Sequence, residues 1–331
     1  MENGNACVGG NMEERQIIIG GGSTLRYRID KEKAEITGYE GQVTRLEIPS
    51  RIEGYPVTGI VRKVFLSQKD LCAVMLPDSI EEIGDWAFAN CVRLTEVSLP
   101  NRAVCFGRAV FKNCESLKRI VVREGGQKVS GREENGVEHI QRMDLNTVSH
   151  AEPELLAATV TILDAYYLLD LPAAGSTEWL EKWDNKLLSV LRTSDQEDYI
   201  SQSVYGEEDY IGTDLEEYIS ERRKEKVRLA FLRLLHPREL STDLEEELEQ
   251  LLRSLTKGCG GEETWQVLLG EHGDEREYYR LFGELSCINE ENFDGILEDI
   301  GENYPEMKAF FLKSRQEQRG GEDFFQELEL W

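Results

Sequence analysis

At 331 residues, with 40% hydrophobic side chains, the chain is longer than one ordinary domain and can bury substantial cores. Its formal charge of −26 argues against nucleic acid as a partner, because phosphate binding needs clustered Lys and Arg. The charge is uneven: residues 1–150 carry 21 acidic and 20 basic side chains, residues 151–331 carry 43 and 18, and this break predicts a domain boundary near residue 150.

Residues 1–23 read as a flexible N-terminus. Residues 1–16 are polar and acidic, without the basic start and apolar core of a secretory leader. The segment IIIGGGST at 17–24 is glycine-rich like a phosphate loop but lacks its lysine, so it is read as a turn ahead of a hairpin. That hairpin is expected in LRYRIDKEKAEITGYEG, which alternates apolar and polar residues about a charged turn.

A 23-residue period follows. Leu71, Leu94 and Leu117 keep this interval, as do Phe65, Phe88 and Phe111, and Val74, Val97 and Ile120. Pro77 and Pro100 share it, as do Cys91 and Cys114. Fixed apolar positions at such a period are the signature of a solenoid. Within one unit, Val74 and Leu76 alternate as the inner face of a short strand that Pro77 ends, and Gly84 permits a tight turn. Stacked strands lie ~4.8 Å apart, so Cys91 and Cys114 are expected as adjacent buried thiols, with a disulfide as the alternative. An earlier unit is longer: Pro49 to Pro77 spans 28 residues, and the insertion EGYPV is expected to form a protruding loop.

The segments LPDSIEEIGDWAFANCVRLTEVSLP and GRAVFKNCESLKRIVV resemble the BspA-type leucine-rich repeats, over about residues 24–123. The resemblance implies a repeat surface for binding other proteins, and in many members adhesion at a cell surface. Roughly three units are counted, capped at the start by the hairpin, as an open solenoid requires. The far end needs cover from the following half or from a second copy in a homodimer.

Residues 124–150 are polar and glycine-containing and read as a linker. The period then changes to that of helices. Leu244, Leu248, Leu251, Leu252 and Leu255 form one stripe. Leu215, Tyr218, Ile219, Val227, Ala230, Phe231 and Leu234 form another, and shorter amphipathic stretches fall at 263–270, 275–286, 291–300 and 305–316. The most apolar stretch, Leu155 to Leu171, is broken by Asp164 and Asp170 and is shorter than the ~20 residues that span a bilayer. The fold class is therefore α+β in two domains: a leucine-rich-repeat β-solenoid with an N-terminal hairpin cap (24–123), then an acidic all-α domain at 151–331, of short helices that suggest an α-solenoid. Tyr199, Tyr210 and Tyr218 share an acidic context at spacings that suit core packing, with a docking or modification site as the alternative. Phe324, Phe325, Leu328 and Trp331, in an acidic aromatic C-terminus, are candidates for packing on the parent domain or for entering a partner's groove.

Chemistry finds little foothold. His139, His150, His236 and His272 show no metal-ligand spacing; His272 has Glu271 and Asp274 nearby but no indicated third ligand. His236 before Pro237 suits a helix C-terminus, where positive charge is favoured. Seven cysteines contain no C-x-x-C pair. No catalytic residue, cofactor site or metal site is assigned. The expectation is a cytoplasmic, non-catalytic scaffold or adaptor that binds another protein and does not insert in a membrane. The alternatives are a secreted or surface recognition protein binding host protein or glycan, if a leader has been removed, and, more remotely, an acidic mimic of nucleic acid.

Overall fold

The computed structural model describes residues 13–123, 132–134, 137–139, 152–197, 199 and 214–328. Contacts divide the chain into two compact units, Met1–Leu187 and Leu188–Trp331. Charge composition shifts near residue 150 instead, because the first helices after the repeat pack on the repeat itself.

The first unit opens with an antiparallel cap of β1 (Arg15–Ile18), β2 (Thr24–Asp30) and β3 (Lys33–Glu40). The expected hairpin is β2–β3. Residues 13–23 are not a flexible lead-in: Ile17 and Ile18 pair with Leu25 and Thr24 through a turn at Gly20–Gly22, where Gly21 and Gly22 sit at φ 74° and 73°. Those angles suit glycine, which has no Cβ to clash.

Next come β4 (Arg45–Glu47), β5 (Arg51–Ile52), β6 (Tyr55–Ile60), β7 (Ala73–Met75), β8 (Glu82–Ile83), β9 (Glu96–Pro100), β10 (Cys105–Phe106) and β11 (Arg119–Arg123). The main parallel sheet runs β11-β9-β7-β4, so the solenoid has four strands in this wall, one more than the three units counted. Its register repeats the sequence period: Ala73 faces Glu96, and Glu96 faces Arg119. Arg45 faces Ala73 because the longer first unit shifts that step. The insertion expected as a loop is a β-hairpin. β5 and β6 pair around Glu53 and Gly54, at φ 51° and 82°, the two positive angles that a type I′ turn needs. A second ladder joins β6, β8 and β10 in register through Gly59, Glu82 and Cys105.

The core is a column of side chains that repeat between turns. The rings of Phe65, Phe88 and Phe111 stack at centroid distances of 4.9 and 5.8 Å, and Tyr39 from the cap meets Phe65 at 5.2 Å. Cys91 and Cys114 are free, buried thiols whose Sγ–H groups donate to the Phe65 and Phe88 carbonyls, each at 3.2 Å. Burial pushes Cys91 up to about 11 and Cys114 up to about 12, which keeps both protonated. Gly84 and Gly107 serve close approach: a Cβ at either would lie 2.6 Å from Arg62 N or 2.5 Å from Asp85 N of the preceding turn.

Part of the expected linker, β12 (Arg132–Glu134) and β13 (Val137–His139), forms a hairpin whose Val137 pairs with Ile52; the rest lies outside the described residues. The solenoid's far end is closed by α1 (Pro153–Thr161), which packs on β11, and by a 3-10 turn at Tyr166–Leu168; α2 (Thr177–Arg192) follows. In earlier turns Phe65 N donates to Ala87 O and Phe88 N to Val110 O. Phe111 has no further turn, and its N–H reaches the Tyr166 hydroxyl at 3.3 Å. Arg119 pairs with Glu154 at 3.1 Å. Trp179 and Trp183, both buried, donate their indole N–H groups to Leu168 O and Leu155 O. These bonds tie α2 to α1 and the 3-10 turn.

The second unit contains α3 (Leu215–Leu235), α4 (Thr242–Ser254), α5 (Glu263–Glu271), α6 (Arg276–Glu284), α7 (Phe293–Ile300) and α8 (Pro305–Leu328). All six lie on stripes readable in the sequence. α3 is the wall against which α4, α5 and α6 lie. Trp265, Phe282 and Phe311 meet in the core at ring distances of 5.6 and 6.3 Å. The fully buried Arg233 caps α3 by donating to the His236 and Arg238 carbonyls. The cation that satisfies the helix end is therefore the arginine one turn before His236.

Replacing Tyr166 with Phe should leave the Phe111 N–H without an acceptor and cost about 1–3 kcal/mol. Amide exchange at Phe111 should quicken while that at Phe65 is unchanged. Equal exchange in both proteins would refute the capping role. Phe88→Ala should cost about 3–5 kcal/mol in thermal unfolding, since it opens a cavity in the middle of the stacked column.

Candidate interaction surface

Along the main sheet, Val97, Leu99, Ile120 and Val122 face inward, which leaves residues 73, 96, 98, 119, 121 and 123 on the outer face. That face is largely spoken for. Ala73, Ser98 and Val121 are buried, Arg119 pairs with Glu96 at 3.4 Å, and the buried Arg123 pairs with Asp78 at 3.1 Å and donates to Leu76 O.

The turns that follow the second ladder form a different, more open edge. Each holds two residues in the left-handed region: Lys63 and Ser67, Trp86 and Asn90, Ala109 and Asn113, with φ between 51° and 62°. None is glycine. The backbone of each turn hydrogen-bonds to the next, Lys63 N to Asp85 O and Trp86 N to Arg108 O, and this holds the conformation in place. Asn113 also donates from Nδ2 to Asn90 Oδ1 at 2.8 Å.

In this column Trp86 is only half-buried. A bulky aromatic at positive φ is a genuine outlier and costs about 1–2 kcal/mol relative to the right-handed conformation. Lys63 Nζ lies 5.1 Å from its ring centroid and Arg108 Cζ 6.0 Å. Its indole N–H has no partner among the described residues. Arg62, Lys63, Arg108 and Lys112 are exposed on these turns, and Asp85 lies between Gly84 and Trp86 on the same edge. Asp85 accepts from the Arg108 backbone N–H at 2.8 Å. That bond, with the Arg108 and Arg62 charges, holds its carboxyl below the usual range against the opposing effect of burial. The ridge is thus a tryptophan with two cations beside its ring, further exposed cations on the same turns, and an acid, Asp85, paired with Arg108 at 3.4 Å, on a chain of net charge −26. Such a surface suits recognition, since Trp and Arg are the side chains that dominate protein interfaces.

The residues singled out by sequence fare differently. Phe324, Phe325 and Leu328 fall on the backbone of α8, but their side chains, like the whole of Trp331, lie outside the described residues. His139 lies on β13, and His150 is outside the described residues. The His272 ring stacks on Tyr278 at 3.7 Å with Nδ1 3.2 Å from Glu275 Oε1. Glu271 is engaged by Arg228 in a two-pronged contact of 2.6–3.0 Å. Tyr218 is buried, meets the Tyr199 ring at 5.3 Å in a tilted contact and donates to Glu197 O at 2.7 Å; Tyr210 is outside the described residues. Trp86 is not singled out by sequence: the 23-residue alignment places it with Lys63 and Ala109, and Arg108 is one position out of that register.

The fold and this edge define a leucine-rich-repeat solenoid. Residues 39–147 match the BspA type leucine rich repeat region in 6 copies. Proteins with these repeats are generally protein-interaction or surface adhesion proteins. Three solved structures are similar over the repeat. A leucine rich cell surface protein from Faecalibacterium prausnitzii is 30% identical over 33% of this chain and 32% of its own, with a TM-score of 0.28. The T. pallidum leucine rich repeat protein is 29% identical over 29% of this chain and 46% of its own, with a TM-score of 0.25. A leucine-rich repeat protein from Bacteroides capillosus is 28% identical over 31% and 78%, with a TM-score of 0.28. The chain spans about a third of the first of these and under half of the second. No protein of curated function matches it. Among the described residues no helix is long and apolar enough to cross a membrane.

Gly84→Ala should test whether the ridge depends on close stacking of turns. Its Cβ would meet Arg62 N at 2.6 Å. Backbone cannot yield as a flexible side chain does, so the variant should unfold at a lower temperature. It should also lose the exchange protection of Lys63 N and Trp86 N. Unchanged protection at both would contradict the packing described.

Proposed function

We propose that this chain is a non-catalytic protein-binding scaffold whose contact surface is the ridge of Arg62, Lys63, Trp86, Arg108 and Lys112, and whose partner presents an acidic face. The observation that carries this reading is Trp86, held half-exposed at positive φ between two cations. The family's general use of these repeats in protein binding supports it. The outer sheet face, where Ala73, Ser98, Val121 and Arg123 are buried, is the weaker candidate. Because two cations lie near the indole ring, the ridge suits carboxylates better than the stacking of a neutral sugar ring.

Affinity capture from the native cell, with the full chain as bait, tests the reading. Trp86→Ala and Arg108→Glu should each lower recovery of a partner at least tenfold while circular dichroism is unchanged, and raised salt should weaken capture by the parent protein. Ala109 occupies the same column at φ 51°, so alanine fits the turn. Equal recovery by folded Trp86→Ala would overturn the assignment.

The cytoplasmic setting is part of the same proposal. A second reading, recognition at the cell surface, is favoured by the family, whose members include surface adhesion proteins. Fractionation decides between them: protease-accessible protein on intact cells supports the surface reading, and protection until lysis supports the cytoplasmic one.

A further inference from the structure

The helical unit carries a pair of cysteines that its own loops bring together. Cys259 lies in the connection between α4 and α5, Lys257-Gly258-Cys259-Gly260-Gly261, and is exposed. This connection is folded tightly behind α4: Cys259 N donates to Thr256 O at 2.9 Å, Gly260 N to Ser254 O at 3.0 Å, and Gly258 takes φ 88°. Cys287 lies in the connection between α6 and α7 and is 3% exposed.

One side chain holds the two connections side by side. Asn292, itself buried, donates from Nδ2 to Lys257 O and to Cys287 O, both at 3.0 Å. The two carbonyls therefore lie within about 6 Å of each other, by the reach of two such bonds. Gly258, beside Cys259, lies against the same side chain: a Cβ built on it would sit 3.8 Å from Asn292 Cβ. Arg253 adds a cation at the same place, donating from Nε to Leu285 O at 2.9 Å. Burial pushes the Cys287 thiol up to about 11, so it waits as a protonated, sheltered group while Cys259 meets solvent.

The other described thiols lack this arrangement. Cys91 and Cys114 are both buried and donate to carbonyls, Cys72 donates to Asp70 O, and Cys105 is exposed in the second ladder of the solenoid.

We propose that Cys259 and Cys287 form a reversible dithiol–disulfide site, oxidised by a hydroperoxide. In the first step the Cys259 thiolate sulfur attacks the peroxide: an S–O bond forms, the O–O bond breaks, and hydroxide or alkoxide leaves. In the second, Cys287 gives up its proton and its sulfur attacks Cys259: the S–S bond forms, the S–O bond breaks, and water leaves. Two thiols lose two electrons, and the peroxide is reduced to water and water or alcohol. A small-molecule thiol reverses the bond by exchange. The disulfide locks the α4–α5 and α6–α7 connections together, and stiffens the helical unit. This site is independent of the ridge and of any partner.

The test uses the full chain, fully reduced, with about one equivalent of hydrogen peroxide at neutral pH. Digestion without reductant and mass spectrometry should show the Cys259 and Cys287 peptides joined with loss of two hydrogens, and dithiothreitol should separate them. Cys259→Ser should abolish the cross-link. Cys287→Ser should let sulfenic acid persist at Cys259, read as severalfold more dimedone adduct than in the parent. Cys259→Ser changes an exposed residue, so its result stands even if Cys287→Ser fails to fold. The idea is overturned if parent Cys259 proceeds to sulfinic acid without the cross-link, or if its disulfide joins two chains instead.

Discussion

Each turn of the solenoid needs the next turn to accept its amide protons. Phe65 donates to Ala87 O and Phe88 to Val110 O, and the same dependence runs along both parallel ladders. No turn is satisfied alone, so the ends decide whether the column is stable at all. At the start, β3 supplies a parallel edge to β6 and Tyr39 covers the first phenylalanine. At the finish, a tyrosine hydroxyl stands where the next carbonyl would be, and α1 lies over β11. The helices that follow the repeat are thus part of the repeat's own folding unit, and the division between units falls at residue 187.

The repeat was legible because stacking repeats the same demand every 23 residues. Phe65, Phe88 and Phe111 recur since each must meet the ring of its neighbour, and the glycines at 84 and 107 recur since backbone passes within a Cβ radius of backbone. What does not recur was harder to read. The EGYPV insertion looked like a loop, and only the pairing of Arg51 with Pro56 and Ile52 with Tyr55 makes it a hairpin. α2 went unread although Trp179, Leu180, Trp183 and Leu187 make a buried stripe, because the acidic charge drew the boundary ahead of it. The candidate binding edge was hidden for a different reason. Trp86 fits no apolar period, and its meaning comes from neighbours 23 and 22 residues away, Lys63 and Arg108, which only stacking brings beside it.

The two units meet their polar obligations in different ways. In the solenoid, backbone groups mostly satisfy one another between turns, and side chains such as Arg123, Cys91 and Tyr166 fill single places. In the helical unit, side chains take over the backbone's unfilled bonds: Arg233 closes the end of α3, Asn292 bridges two connections, and Lys226 holds Thr193 O while pairing with Asp195 at 2.6 Å. Loss of one such side chain leaves a buried donor or acceptor with nothing to replace it, as loss of the Tyr166 hydroxyl does at the solenoid's end.

The left-handed column has one more implication. Lys63, Trp86 and Ala109 hold the same backbone angle without glycine, because the hydrogen bonds between turns enforce it. The position accepts a cation, an aromatic or a methyl group and the fold is the same. Mutation can therefore redraw the outer edge one residue at a time while the stacked interior is conserved by its own geometry. Such an architecture can change what it recognises far faster than it changes its shape, and a short solenoid of this kind can adapt to new partners without passing through an unfolded ancestor.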